Sequence, residues 1–405
     1  MTGRGDVRIG RRILPLALLL ALIATQTIAS AATYVYGVRV PRGYRVVAKH
    51  HPASGVWHVT LSRPGHQVVN VARLERASGH GIRVLLSNGR VSGPSPRTER
   101  TSTMCRRVRC LAAVNGSFFT TGGEPIGVLV GDGRPYRTAT DARYNFSVAP
   151  DGTPGIARPQ VQTTVTTYYP VLTGLLLRNG GQADERTISV DGINVARASG
   201  ATVLYTPEFG PTTQTRGGTE LIARIVGPAG PLKTGVPTSI EFTGARSGGN
   251  GSTIPTDSVV LSGSGSAGSA LASLWNDVVL GRAERRASIL VSVSPGAIQS
   301  VAGKPLLLRA GKVATTSPSR PDARTMIGWN PRGDILLVTI DGKQTGRAGL
   351  SVIDAAKLMS YLGAVDALNL DGGGSTTFVL GGRLVNRPST SSHYERGVAA
   401  AVAIV

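Results

Sequence analysis

The chain has 405 residues, with 44 Lys plus Arg against 23 Asp plus Glu and a formal net charge of +21. At 41% hydrophobic residues it can bury a sizeable core, which excludes wholesale disorder. The 53 glycines and 5% aromatics point to short strands and many turns rather than a helical bundle. Two cysteines exclude a disulfide-dense miniature, a four-thiolate zinc site and a cysteine-ligated iron–sulfur cluster.

Residues 1–31 read as a secretory signal. Arg4, Arg8, Arg11 and Arg12 precede the apolar run 13–24, and Ala29-Ser30-Ala31 supplies the small-residue cleavage site. Thr25, Gln26 and Thr27 break the run, leaving it short for a membrane span. The mature chain is therefore expected to be secreted or held in the cell envelope, without a span. Residues 32–44 lead into one domain expected over 45–405. The basic residues are nearly all Arg and are scattered, with no recognised nucleic-acid module. An exported protein of this charge meets anionic polymers or lipid headgroups. In an oxidising compartment Cys105 and Cys110 are expected to close a small loop, against free thiols, metal binding or a redox pair. Metal binding would need more ligands nearby, and the spacing is not C-x-x-C.

Taken in chain order, β-rich runs stand at 38–40, 58–61, 68–71 and 82–86. Residues 87–110 are polar and read as a loop with one helical turn. A short buried strand, 111–114, runs into Asn115-Gly116-Ser117-Phe118-Phe119. The middle alternates strands with Gly/Pro turns, with strands at 144–148, 203–206 and 288–293 and a variable β-rich segment over about 150–300. Residues 262–266, Ser-Gly-Ser-Gly-Ser, read as a flexible turn whose G-x-G lacks the strand–loop–helix context of a phosphate loop. Residues 335–340 form a buried strand ending at Asp341-Gly342. Ser351 opens a helix with Asp354 three residues on, and Val352, Ala355, Ala356, Met359 and Leu362 make its apolar face. Gly363 stops it. The strand 366–370 ends in Asp371-Gly372-Gly373-Gly374-Ser375-Thr376, followed by a hairpin turning at Gly381-Gly382 and a final strand, 398–405. The pattern predicts an α+β fold with a mixed, mainly β core and few flanking helices.

Chemistry is expected at two carboxylates just past apolar strands, Asp341 and Asp371. Three successive glycines are entropically costly in a plain turn, and make sense if bare amides face an anion. Asn115, at another strand end, can donate to and accept from a ligand. Arg324, Arg387 and Arg396 flank the acidic motifs, and the guanidinium fork matches phosphate oxygens. The histidines lack zinc-type spacing, and no G-x-S-x-G elbow appears.

These residues resemble the phosphodiester glycosidase family. Residues 366–376 look like its D-G-G-G-S signature, and 115–119 resemble its N-G-G-F-F with Ser117 for Gly. Residues 324–328 match its R-T-x-x-G, and 338–343 resemble its V-x-x-D-G-R with Lys343 for Arg. Val385-Asn386-Arg387-Pro388-Ser389 and Glu395-Arg396 match its ending, and Asn194 and Arg197 a middle segment. The resemblance implies hydrolysis of a sugar-1-phosphodiester at the anomeric carbon, releasing a sugar and a phosphomonoester. It implies catalytic roles for Asp371, Asp341, Asn115 and Arg324. Phosphate would lie on Gly372, Gly373, Gly374, Ser375 and Arg396, and substrate on Asn369, Thr376, Arg387, Asn194 and Arg197. No cofactor or resident metal is expected, although a carboxylate-plus-phosphate site can recruit a divalent ion. The implied partner is a glycan, sugar phosphate or cell-wall polymer, with no specific nucleic acid. The competing readings are a non-catalytic module binding anionic glycopolymer and an enzyme cutting the phosphorus side of the diester.

Overall fold

Ile335-Leu336-Leu337-Val338-Thr339-Ile340 is buried at every position because its two faces serve two different cores. In the computed structural model, which describes residues 1–3, 33–64, 67–93, 97–138, 141–170, 184–316 and 318–405, this strand lies inside a sheet. The signal-peptide reading falls almost wholly on 4–31 and so lies outside the described residues. Arg324–Trp329 flanks the strand on one side and Gln67–Leu74 on the other, both antiparallel. Asp366–Asn369 pairs with the outer edge of Arg324–Trp329. Side chains alternate across a strand. Ile335 and Leu337 therefore join one core with Ile327 and Leu368, whereas Leu336 and Val338 join a second with Met326.

The second core is closed by a helix, Val352–Tyr361, whose Ala355, Ala356 and Met359 are buried against it. Its start is as predicted. The Ser351 hydroxyl accepts from the Asp354 N–H at 3.1 Å, and its own O–H donates to the Asp354 carboxylate at 2.6 Å. On the first core packs another antiparallel sheet, in which Ala112–Asn115 lies between Phe378–Leu380 and Ala400–Ile404. Asn115 and Asp371 thus leave two different sheets at neighbouring points.

The fold is α+β and mainly β. Among the described residues it has three α-helices, and nearly all strand pairs are antiparallel. The parallel pairing is Gly192–Ile193 with Thr202–Tyr205. No described helix is long and apolar enough to cross a membrane.

Two expectations are corrected. The polar stretch before Cys110 holds a helix of eight residues, Thr101–Val108, not one turn. Glu395 caps it, accepting from the Ser102 N–H at 2.7 Å, while buried Met104 and Cys105 anchor its inner face. Cys105 and Cys110 are joined as a disulfide, their Cα atoms 4.9 Å apart. Residues 262–266 are not a flexible turn either. The strand Ser258–Gly263 passes through Ser264 into a helix, Gly265–Val279. The small residues let helix and strand touch: a Cβ on Gly268 would lie 2.9 Å from the Gly263 carbonyl oxygen. Close packing explains these glycines without a bound phosphate.

Candidate active site

Asn115 ties the site together. It is fully buried, and its Nδ2 donates to the Asp371 carbonyl at 2.7 Å. Its Oδ1 accepts from Thr325 Oγ1 at 2.6 Å and from the Thr377 N–H at 3.1 Å. The backbone repeats the connection: the Asp371 N–H donates to the Gly116 carbonyl at 3.1 Å. Segments 256 residues apart therefore meet, as the motif reading requires. The outcome differs in kind, because the amide of Asn115 is committed to protein and not offered to a ligand. Replacing Asn115 with Ala strands Thr377 N–H, Thr325 Oγ1 and the Asp371 carbonyl in a buried place. We expect a loss of about 2–3 kcal/mol in denaturant unfolding, together with reduced turnover. An unchanged midpoint would show that this staple is dispensable.

The two aspartates occupy unlike environments. Asp371 is half-buried, and its Oδ1 accepts from the Gly372 N–H at 3.0 Å. Burial raises its pKa above the usual carboxylate value; the Ser375 hydroxyl, the Gly372 amide and the Arg396 charge pull partly the other way. Asp341 is fully buried. It pairs with Arg347, accepts from Asn386 Nδ2 at 3.3 Å and from the Arg387 N–H at 3.4 Å. Burial raises its pKa too, against the opposing pull of Arg347. Asn386 carries the link onward, donating to the Thr376 carbonyl at 3.0 Å and accepting from the Phe378 N–H at 2.6 Å. Asp341 thus braces the loop after Asp371 from below.

The glycine loop departs from expectation. Gly373–Ser375 is a 3₁₀ turn, so the Ser375 and Thr376 N–H groups bond inside it, to the Gly372 and Gly373 carbonyls. The Gly373 N–H donates to the Ala323 carbonyl at 2.9 Å. With the Gly372 N–H on Asp371, the Gly374 N–H is the one in this run left without a partner among the described residues. Two of the glycines answer backbone demands. A Cβ on Gly372 would lie 2.8 Å from the Ala323 oxygen, and Gly373 has φ +59°. Thr376 and Ser375 are buried. Beside the open amide stands Arg396, exposed, its guanidinium 5.0 Å from the Phe119 ring centroid. Its Nη1 lies 3.9 Å from where a Gly374 Cβ would be.

The other residues expected to meet a ligand also have partners within the protein. Arg324 spends its guanidinium on the Leu350 and Arg320 carbonyls and on Ser319. Asn369 donates to the Lys304 and Leu370 carbonyls, both at 2.8 Å. Asn194 is fully buried and bonds Tyr136 and Thr206. Arg197 holds Ser262 and the carbonyls of Arg216, Gly217 and Gly263. Arg387 is exposed and points its Nη2 at His393 Nε2, 2.6 Å away. Sequence reasoning missed Arg347, the partner of Asp341, and Asp322. Asp322 pairs with Lys343 at 2.7 Å and sits beside Gly373. Asp322 follows Pro321 in a loop, outside any strand-end pattern. Among the described residues no cluster of three His, Cys, Asp or Glu could hold a metal ion.

One antiparallel sheet thus delivers a buried carboxylate and a half-buried one to a glycine turn, and an exposed guanidinium stands beside it. The phosphodiester glycosidase family model matches residues 234–405, which include the Asp341, Asp371 and Arg396 motifs. That family is one of hydrolases. Over 67 residues the chain is 43% identical to the N-acetylglucosamine-1-phosphodiester alpha-N-acetylglucosaminidase of Bos taurus, covering 16% of this chain and 12% of that protein. The chain thus spans about an eighth of the length of the curated relatives it matches. Among solved structures, a hypothetical protein from Synechocystis has TM-score 0.62 and 20% identity, covering 90% of this chain and 69% of its own. A protein from Burkholderia pseudomallei K96243, described as a candidate exported protein, has TM-score 0.59 and 22% identity, covering 84% and 74%. These two show a shared fold.

Proposed function

We propose that the protein hydrolyses a sugar-1-phosphodiester at the anomeric carbon, releasing a free sugar and a phosphomonoester. The observation that carries this reading is Asp371: a carboxylate that accepts from the Gly372 N–H beside the exposed Arg396, on a main chain held by Asn115, inside the segment matching the glycosidase family. The bond between the anomeric carbon and the phosphate oxygen breaks, and water supplies the new hydroxyl. The transition state carries oxocarbenium character, which a neighbouring carboxylate stabilises. A phosphomonoester leaves readily and needs its charge met more than a proton. Arg396 and the Gly374 N–H are the donors left open for that charge. Asp371 acts at the sugar. Asp341, sealed beneath with Arg347, holds the loop in place. Export, read from residues 1–31, is supported by the disulfide, which suits an oxidising compartment. The substrate is then a glycan or glycopolymer of the cell surface.

The test is product analysis on a panel of sugar-1-phosphodiesters, beginning with UDP-N-acetylglucosamine and aryl sugar phosphates. Free sugar supports the reading; sugar phosphate as product, or no turnover, defeats it. Acid should inhibit, because Asp371 works ionised and burial raises its pKa. Arg396 opposes that rise, so Arg396→Gln lifts the pKa further and moves the acid limb of the kcat/KM profile to higher pH. A limb that stays in place would remove Arg396 from the surroundings of Asp371.

A further inference from the structure

A cavity of about 510 Å³ opens next to the site and uses none of the residues assigned above. Asp141, Arg143, Tyr144, Arg158 and Lys304 line it. Two short stretches of chain connect it to Asp371. The Asn369 N–H donates to the Pro305 carbonyl at 3.2 Å and its side chain to the Lys304 carbonyl at 2.8 Å, two residues before Asp371. On the other side, Arg143 stands 5.3 Å over the Phe118 ring, two residues beyond the Gly116 carbonyl that receives the Asp371 N–H. Two residues span at most about 7 Å of chain.

The charges in the cavity do not balance. Asp141 pairs with Arg143. Even so, Nη1 of Arg143 is buried with no hydrogen-bond partner among the described residues. A buried guanidinium nitrogen left unbonded is costly unless something else completes it. Arg158 and Lys304 are exposed, and neither has an acidic partner among the described residues. Arg158 instead lies on the Tyr144 face, 4.8 Å from the ring centroid, which holds its fork in one orientation. Arg309, also over that ring, is answered by Asp366 at 3.6 Å and so adds nothing to the excess.

We infer that this cavity is a second anion subsite, which takes a phosphate or carboxylate group carried on the same chain as the bond cleaved at Asp371. The inference rests on the proposed reaction for the word "same", and it deepens that reading: the substrate is a multiply charged glycan rather than a lone sugar phosphodiester. Arg143 and Arg158 offer forks to the anion and Lys304 a point charge, while Tyr144 is the platform on which Arg158 rests.

Binding, not turnover, tests it. Inorganic tripolyphosphate and trigalacturonate are titrated calorimetrically into the wild-type protein, the R158A/K304A variant and a control, R282A/K357A. The control removes two exposed positive charges elsewhere, each beside an aspartate. The wild type and the control should bind at least one probe alike, and R158A/K304A about tenfold more weakly. The probe that binds distinguishes phosphate from carboxylate. Equal losses in both double variants would assign the binding to the general field of a +21 chain and overturn the subsite, as would no loss in either or no binding of either probe to the wild type. A protein that binds through Arg158 and Lys304 yet hydrolyses nothing loses the proposed reaction and keeps the subsite. One that hydrolyses but fails this titration does the reverse.

Discussion

Asp371→Asn is expected to lower turnover of a sugar-1-phosphodiester by about 10³-fold while leaving the folded protein at least as stable. The amide has the shape of the carboxylate, and its oxygen can still accept the Gly372 N–H that now reaches Oδ1 at 3.0 Å. What disappears is the negative charge, and with it the ability to attack or to take a proton. Stability should hold because the charge is disfavoured in the folded state: burial raises the pKa of Asp371. Neutralising it removes that cost at neutral pH. The assay compares kcat/KM on UDP-N-acetylglucosamine or an aryl sugar phosphate, with circular dichroism melting as the control. A folded variant turning over at the wild-type rate would take Asp371 out of the chemistry.

The same motif was legible in the sequence for a partly mistaken reason. Asp371 and its glycines stand out because a strand ends there and Gly372-Gly373-Gly374 break every local preference. Of those amides the Gly374 N–H alone lacks a partner among the described residues, because the Asp371 carboxylate takes Gly372 and backbone groups take Gly373, Ser375 and Thr376. Ala323 comes within bonding distance of Gly373, and the 3₁₀ turn consumes the Ser375 and Thr376 amides. Nothing in a linear sequence reports that Ala323 is close. Local signals fared better where the physics is local: the Ser351–Asp354 cap and the five-residue apolar face define Val352–Tyr361 without help from the rest of the chain. Gly265–Val279 escaped because its first turns are Gly, Ser and Ala, so its apolar stripe of Leu271, Leu274 and Val278 begins late. Asn194 and Arg197 were singled out as polar residues in a motif, but their partners are mostly main-chain carbonyls, which no side-chain pattern reveals. Arg347 was invisible for a different reason. In a chain with 44 basic residues, one more Arg in a Gly-bearing loop carries no signal until Asp341 is seen to be sealed beneath it.

That pairing sets the largest stability effect expected. Arg347→Met should cost about 3 kcal/mol at neutral pH, because it leaves a buried carboxylate with two weak donors. The Asp341 side chain has no exposure and that of Arg347 has 29%. The remaining bonds, from Asn386 at 3.3 Å and from the Arg387 N–H at 3.4 Å, are at the long end of the range. The cost should depend on pH, because Arg347 stabilises only the ionised form of Asp341. Asp341 already has a folded pKa above its unfolded value, because burial outweighs Arg347. Such a group binds its proton more tightly when folded. It favours folding at low pH, and that contribution is lost as pH rises from the unfolded pKa through the folded one. Removing the guanidinium raises the folded pKa further and deepens the loss on the alkaline side. The deficit of Arg347→Met relative to wild type should therefore be greatest near pH 7.5 and shrink toward pH 4, where Asp341 is protonated in the variant. Adding Asp341→Asn to Arg347→Met should recover most of the loss at pH 7.5, since the amide asks for no countercharge. Urea unfolding of the three variants at the two pH values reads all of this. If the deficit is the same at both, or if the second substitution adds to it, Asp341 is not the charge that Arg347 holds.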